Sequence, residues 1–289
     1  MLSCRTDCSR CTTGAVLMLI YLVVGGVPAA ANSNSGEKPV SAADPAGATA
    51  SYSELVTIFD EFVALRDGAA DPVPAMDKDA SGKAIVPVSD YTPAAVEQRD
   101  RRVQSLQSRL AALASDEWPR AQRVDYLAVR SRLDQYQFLQ RVSRPWARDP
   151  GFYVDRMLSV TFTELPVTGE ARERFLARLR AIPVLVDHAQ TVLDDVAADY
   201  ADLALHNLTR SDGVGHGHPY RATPPAGVIG WFEDLLARAE QVQPELVPQI
   251  RSTLTSVAGF ETWLKEQRPT WSAAAGVGEE ALDWYLRHV

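Results

Sequence analysis

The stretch that decides the fold is Pro93–Val142, PAAVEQRDRRVQSLQSRLAALASDEWPRAQRVDYLAVRSRLDQYQFLQRV. Thr92 followed by Pro93 has the pattern of an N-cap with proline in the first turn, where the missing N–H has no helical acceptor to lose. Val103, Leu106, Leu110 and Leu113 then recur at helical spacing with Arg and Gln between them, which makes one apolar stripe. From Arg120 to Val142 a second amphipathic helix is predicted, with Val124, Leu127, Tyr136, Leu139 and Val142 on its apolar face.

The same periodicity extends in both directions. Upstream, Ser51 and Glu54 have capping-box spacing ahead of Leu55, Ile58, Phe59 and Phe62. Asp67 to Asp90, with Pro72, Pro74 and Pro87, predicts a long irregular connection. Downstream, Pro145 and Pro150 interrupt the pattern and a shorter helix is expected over Phe152–Phe162. Glu170–Arg180 carries Phe175, Leu176 and Leu179. Pro183 is expected to start or kink a helix running to about Leu205 through Val186, Ala189, Val192, Val196, Tyr200 and Leu203. A Gly- and His-rich loop occupies Asn207–Pro225. Helices are expected over Ala226–Val242 and Glu245–Arg268, and a last one opens near Gly278. No alternating strands and no internal repeat are visible, so the expectation is an all-α protein, an irregular array of antiparallel helices.

The N-terminus has a different character. Arg5 and Arg10 make a basic region, Ala15–Val27 is apolar and uncharged, and Pro28-Ala29-Ala30-Ala31 offers small residues for cleavage after Ala31. Residues 1–31 are therefore expected to be a signal peptide, 32–50 a disordered linker rich in Ala, Ser, Gly and Pro, and 51–289 the helical domain. The product would be secreted or periplasmic, without stable membrane insertion after cleavage; an uncleaved N-terminal anchor is the alternative, against the length a span requires. Cys4, Cys8 and Cys11 all fall within the leader. Their spacing matches a four-iron cluster loop of radical enzymes, but such a loop belongs after a strand in a β/α fold, not ahead of an export segment.

Composition and motifs exclude several activities. The net charge of −8 is spread along the chain, and no run of Lys and Arg supplies the basic face that nucleic-acid binding requires. Serine-nucleophile elbows, phosphate-binding loops, dinucleotide fingerprints and His-Glu-x-x-His are all missing from the sequence. His216 and His218, in Gly213-Val-Gly-His-Gly-His-Pro219, are the weak candidates for metal ligation, with Asp212 near; no third ligand follows from spacing. His188 and His206 are expected to be hydrogen-bonded in place or to sit at a helix C-terminus. The adjacent acids Asp194-Asp195 and Glu279-Glu280 point to different helix faces and are expected at the solvated surface. Trp118, Trp146, Trp231, Trp263, Trp271 and Trp284 are expected to pack between helices and not to form a ligand cage.

Four phrases carry a family resemblance: Arg144-Pro-Trp-Ala-Arg-Asp-Pro-Gly-Phe-Tyr-Val154, Ala204-Leu-His-Asn-Leu208, Pro224-Pro-Ala-Gly-Val-Ile-Gly-Trp231, and Gly278-Glu-Glu-Ala-Leu-Asp-Trp-Tyr-Leu-Arg-His288. From about Ser51 onward the chain resembles the N-terminal half of bacterial domain-of-unknown-function family 885, whose members are similar to large helical zinc peptidases. The resemblance implies the N-terminal lobe of a larger metallopeptidase-like fold, forming one wall of a substrate cleft. The family's zinc helix, of the His-Glu-x-x-Pro-Gly-His kind, lies in a second half that this chain lacks, so no catalytic, cofactor-binding or metal residue is carried over.

The resemblance thus implies a truncated or split family member, inactive alone. Zinc is expected only when the missing C-terminal half is present, and the expected partners are that lobe or a peptide substrate. Whether the chain takes part in catalysis depends on that half. The alternative reading is a self-contained, non-enzymatic helical interaction module of the cell envelope.

Overall fold

In the computed structural model, which describes residues 46–69, 77–78, 84–85, 89–210 and 224–289, the chain is all-α. The decisive stretch forms α2 (Pro93–Ala111) and α3 (Arg120–Phe138). The α2 stripe Val103, Leu106 and Leu110 is buried as its spacing requires. On α3, however, Val129, Leu133 and Tyr136 point inward, while Val124 and Leu127 are 57% and 46% exposed and Leu139 is also exposed. The helix carries two apolar stripes, and the inward one is chosen by partners on α2 and on α1 (Ala46–Ala69). Leu55, Ile58, Phe62 and Leu65 of α1 complete this smaller core, with Trp118 closing one end.

The start of α1 departs from the sequence expectation. The helix begins at Ala46, so Ser51 lies inside it and caps nothing. Glu54 instead accepts from Arg109 Nε and Nη2 (2.9 and 2.7 Å), with Glu61 taking Arg109 Nη1 at 2.7 Å. Thr92 is the N-cap residue of α2 as predicted, but its hydroxyl caps no N–H. The chain turns there because the Asp90 carboxylate accepts the Thr92 N–H at 2.8 Å, a local Asx turn. Between α1 and α2, β1 (Asp77–Lys78) and β2 (Ala84–Ile85) pair antiparallel, Asp77 opposite Ile85.

The larger core is built by α4 (Pro145–Arg148), α5 (Gly151–Leu158), α6 (Gly169–Val192), α7 (Ala198–Thr209), α8 (Gly227–Val242) and α9 (Val247–Gln267). The predicted helices on either side of Pro183 are one helix, α6, with the proline inside it. Proline removes one backbone bond but does not forbid continuation, and Leu179, Ile182, Val186 and Ala189 keep the buried stripe in register across it. The predicted continuity to Leu205 fails further on, since α6 ends at Val192 and α7 starts at Ala198. The last helix, α10 (Glu279–His288), lies on α3 and buries no residue fully.

Two long-range constraints fix this core. Gln243, nearly fully buried, uses its amide to accept the Val167 N–H (2.9 Å) and donate to the Val167 carbonyl (2.8 Å), which holds the segment before α6 against the end of α8. Gly227 opens α8 with φ +67, and a Cβ there would lie 2.5 Å from the backbone of Leu208 and Thr209. The α7 C-terminus and α8 N-terminus approach too closely for any side chain, which accounts for this glycine in the phrase Pro224–Trp231. Gly227→Ala combines a left-handed conformation costing about 1–2 kcal/mol with overpacking of about 1–3 kcal/mol. It is expected to lower unfolding free energy in urea by at least ~2 kcal/mol, whereas Gly259→Ala, where a Cβ meets no neighbour, should leave it unchanged or raised.

Candidate functional site

The segment Arg144–Tyr153 brings a buried arginine, Arg148, and the half-buried Asp149 beside the buried Trp146. Pro145 bars the preceding residue from helical geometry, so α3 must end before it. It does so through a wider π turn over Leu139–Ser143, after which Arg144 takes a left-handed conformation (φ 38, ψ 55). A residue other than glycine held there costs about 1–2 kcal/mol, and the turn delivers Trp146 into the larger core, where it is 4% exposed.

On one side of Trp146, three segments are joined by backbone bonds. Asp194 N–H donates to the Ala147 carbonyl at 3.1 Å and Ala197 N–H to the Arg148 carbonyl at 3.4 Å. Ala197 also bridges Ala273 in parallel. Arg148, buried, donates to the Ala274 carbonyl, and the Tyr200 hydroxyl donates to the Ala275 carbonyl, each at 2.5 Å. Tyr153 O–H donates to the Trp146 carbonyl at 2.6 Å. Between α6 and α7 the N–H groups of Asp194 and Ala197 are given to Ala147 and Arg148 and not to helical acceptors. Asp194 and Asp195 are exposed, but Asp195 is ion-paired with Arg144 and sits 3.5 Å from Arg148 Nε.

Asp149 is the acid of interest here. Its Oδ1 accepts the Gly151 N–H at 2.8 Å, which starts α5. Burial nevertheless raises its pKa, and the charge of the nearby Asp155 raises it further. A single acid with one oxygen committed to a helix start can hold a proton or orient a polar group.

On the other side of Trp146, Tyr91 stacks on the indole with ring centroids 5.0 Å apart, and meets Phe152 edge-on at 5.3 Å. Arg99 lies over the other side of this aromatic group, its guanidinium carbon 5.0 Å from the Tyr91 ring, with Nη1 donating to the Asp90 carbonyl. His188 on α6 accepts the Tyr91 N–H through Nε2 at 3.0 Å. Burial depresses the His188 pKa; Asp90 opposes this and Arg99 adds to it. Burial also pushes the Tyr136 phenol up to about 12. Among the described residues the Tyr136 hydroxyl, Gln140 Oε1, and Arg99 Nε and Nη2 have no hydrogen-bond partner, although these atoms are buried.

The sequence singled out His188 only as a packed histidine and gave no sign of its partner, because the Tyr91 amide lies 97 residues away in the chain. His206 sits in the last turn of α7. Trp118, Trp146 and Trp231 are buried, Trp263 and Trp271 pack at the margin of the larger core, and Trp284 stacks on Phe138. His216, His218, Asp212, the three cysteines and the cleavage point after Ala31 lie outside the described residues. Among the described residues no group of three or more His, Cys, Asp or Glu side chains is placed to hold a metal ion, and no helix is long and apolar enough to cross a membrane. A shallow recess of about 310 Å³, lined by Thr209, Pro225, Ala226, Ile229, Gly230 and Glu233, is built by a different set of residues from those around Trp146.

Asp149 yields a pH-dependent prediction. Its folded pKa is raised, so its contribution is favourable below the unfolded carboxyl value and is lost as pH rises through the folded one. Asp149→Asn keeps an acceptor for the Gly151 N–H and removes the desolvated charge. It is expected to raise Tm at pH 7 by about 2 °C or more, with the difference from wild type closing as pH falls toward 3 in a calorimetric series.

Comparison with known proteins found no matching family model, no matching curated protein and no matching solved structure. The family resemblance rests on the four sequence phrases alone.

Proposed function

We propose that this protein is an exported helical lobe of the zinc-peptidase-like kind, without a catalytic set of its own, that works by docking against a second helical lobe and forming one wall of a peptide cleft. One observation carries the docking part of this reading. Helix α10 rests on α3 through one side only, with Trp284 stacked on Phe138, Tyr285 edge-on to the same ring, and Ser131 donating to the Val289 carbonyl. Its flank leaves Leu282 and Leu286 50% and 72% exposed, and Val289 continues the same apolar line. Farther along α3, Val124 and Leu127 are exposed as well. Single exposed apolar residues are ordinary, but a leucine row on a short helix that is itself only half-docked is the pattern of a face that packs on something else.

A second reading, the self-contained interaction module, has its own support. Both cores are closed by their own helices, with Phe232, Leu235, Phe260 and Leu264 fully buried in the larger one and Ile58, Val103 and Leu133 in the smaller. The two readings differ in what the α10 flank does in solution. Sedimentation of the protein lacking residues 1–31 is expected to show concentration-dependent self-association through the uncovered face. The double variant Leu282→Glu/Leu286→Glu should sediment as a monomer with Tm unchanged within about 2 °C, because neither leucine is buried. A wild-type protein that stays monomeric at high concentration would remove the docking reading and leave the module.

A further inference from the structure

We propose that His188 is an acid-operated latch: protonation at Nε2 releases the Tyr91 amide and loosens the base of the α2–α3 hairpin from the larger core. The inference starts from hydrogen-bond chemistry. A backbone N–H can only donate, so an Nε2 that receives it at 3.0 Å must carry a lone pair, and the ring must be neutral. A proton on Nε2 turns the acceptor into a second donor facing the first. The bond is then lost outright, not weakened, and the imidazolium is left against the Tyr91 backbone.

The charged groups that act on this ring are few. Asp90 carries a carboxylate that favours the imidazolium, but that carboxylate already accepts the Thr92 N–H. Arg99 brings a positive charge that disfavours it and is fixed by its own bond to the Asp90 carbonyl. Burial disfavours it further. The ring is therefore neutral at neutral pH and takes up its proton below the usual imidazole value of about 6.5, a range an exported protein meets outside the cell.

What the latch holds is more than one amide. Tyr91 is 8% exposed, stacked on Trp146 and wedged against Phe152, and it immediately precedes α2. Trp146 follows the end of α3. The stacked pair thus fixes both open ends of the α2–α3 hairpin to the larger core. Near it lie the Arg99 Nε–Nη2 edge, over the Tyr91 ring, and the buried Tyr136 hydroxyl, neither with a hydrogen-bond partner among the described residues. The Tyr91–His188 bond ties the start of the hairpin directly to α6, so its loss shifts the local opening of this layer. The inference concerns this layer alone and does not depend on the docking reading of α10.

Protection of the Tyr91 amide against hydrogen–deuterium exchange, expressed as a protection factor so that intrinsic pH dependence cancels, reads the latch directly. In the full chain it is expected to fall at least tenfold between pH 7.5 and pH 5.0. His188→Gln, whose amide oxygen reaches the position of Nε2 and does not titrate, is expected to keep the bond and hold the protection factor constant over the same range. An equal fall in His188→Gln, or no fall in wild type, overturns the proposal. Should the variant not fold, NMR titration of the wild-type His188 ring decides: a midpoint below 6.5 that coincides with the loss of Tyr91 protection supports the latch, and a midpoint at or above 6.5, or one separate from that loss, overturns it.

Discussion

The stack of Tyr91 on Trp146 is the contact on which the arrangement of the helices depends. The chain leaves the smaller core after α1, touches α6 through the short β2 strand, and enters α2 at Tyr91. It returns to the larger core at Trp146 after α3. Both ends of the α2–α3 hairpin are therefore anchored in the larger core, joined there by Val96 of the first α2 turn, while the buried residues of its middle belong to the smaller core. Without this pair the smaller core would be joined to the larger mainly by its connections. The bidentate pair of Arg141 with Asp100, at 2.9 and 2.8 Å, clamps the two helices just inside the anchored end. Because Arg141 is largely exposed, the clamp adds orientation more than stability.

Buried polar groups show two kinds of economy. In and around the larger core several do a structural task, while Trp231 Nε1 and Arg148 Nε are buried without a hydrogen-bond partner among the described residues. Gln243 completes both backbone groups of Val167, Arg238 donates to the carbonyls of Thr161 and Thr163, and Thr253 donates to the Leu179 carbonyl. Deleting any of these side chains would strand buried carbonyls or amides, at about 1–3 kcal/mol for each stranded group. At the hairpin base, polar atoms of Arg99, Tyr136 and Gln140 are buried without a hydrogen-bond partner among the described residues. Gln140 lies within the π turn that leads into the left-handed Arg144.

The helices themselves were legible because periodicity is a local property. The stripe of α2, the start at Pro93, and the positions of α8, α9 and α10 follow from residues within one or two turns of each other. What the sequence concealed depends on distant partners. Val124 and Leu127 were as plausible an inner face as Val129 and Leu133, and only the positions of α1 and α2 decide between them. The break at Leu193–Ala197 carries no glycine or proline; it lies where Ala147 and Arg148, distant in the chain, offer carbonyls to Asp194 and Ala197. Ser51 and Glu54 had the spacing of a cap, but Glu54 gains two guanidinium bonds from Arg109 by lying within a longer helix. The pairing of His188 with Tyr91 belongs to the same class, since neither residue signals the other.

Three of the four phrases that suggested a family resolve into reasons of this long-range kind. Arg144–Val154 carries the turn, the anchor Trp146 and the start of α5. Ala204–Leu208 and Pro224–Trp231 meet where Gly227 allows α7 and α8 to touch backbone to backbone. None of the three needs catalysis to explain it. The fourth, Gly278–His288, differs because packing accounts for half of it: Trp284 and Tyr285 are spent on Phe138, while Leu282 and Leu286 are spent on nothing within the described residues. An interior demand explains the first three phrases and only an exterior one would explain the leucines of the last. If this protein acts on another molecule through its α10 flank, the hairpin bearing α3 carries that flank, and the stack of Tyr91 on Trp146 sets where it is presented.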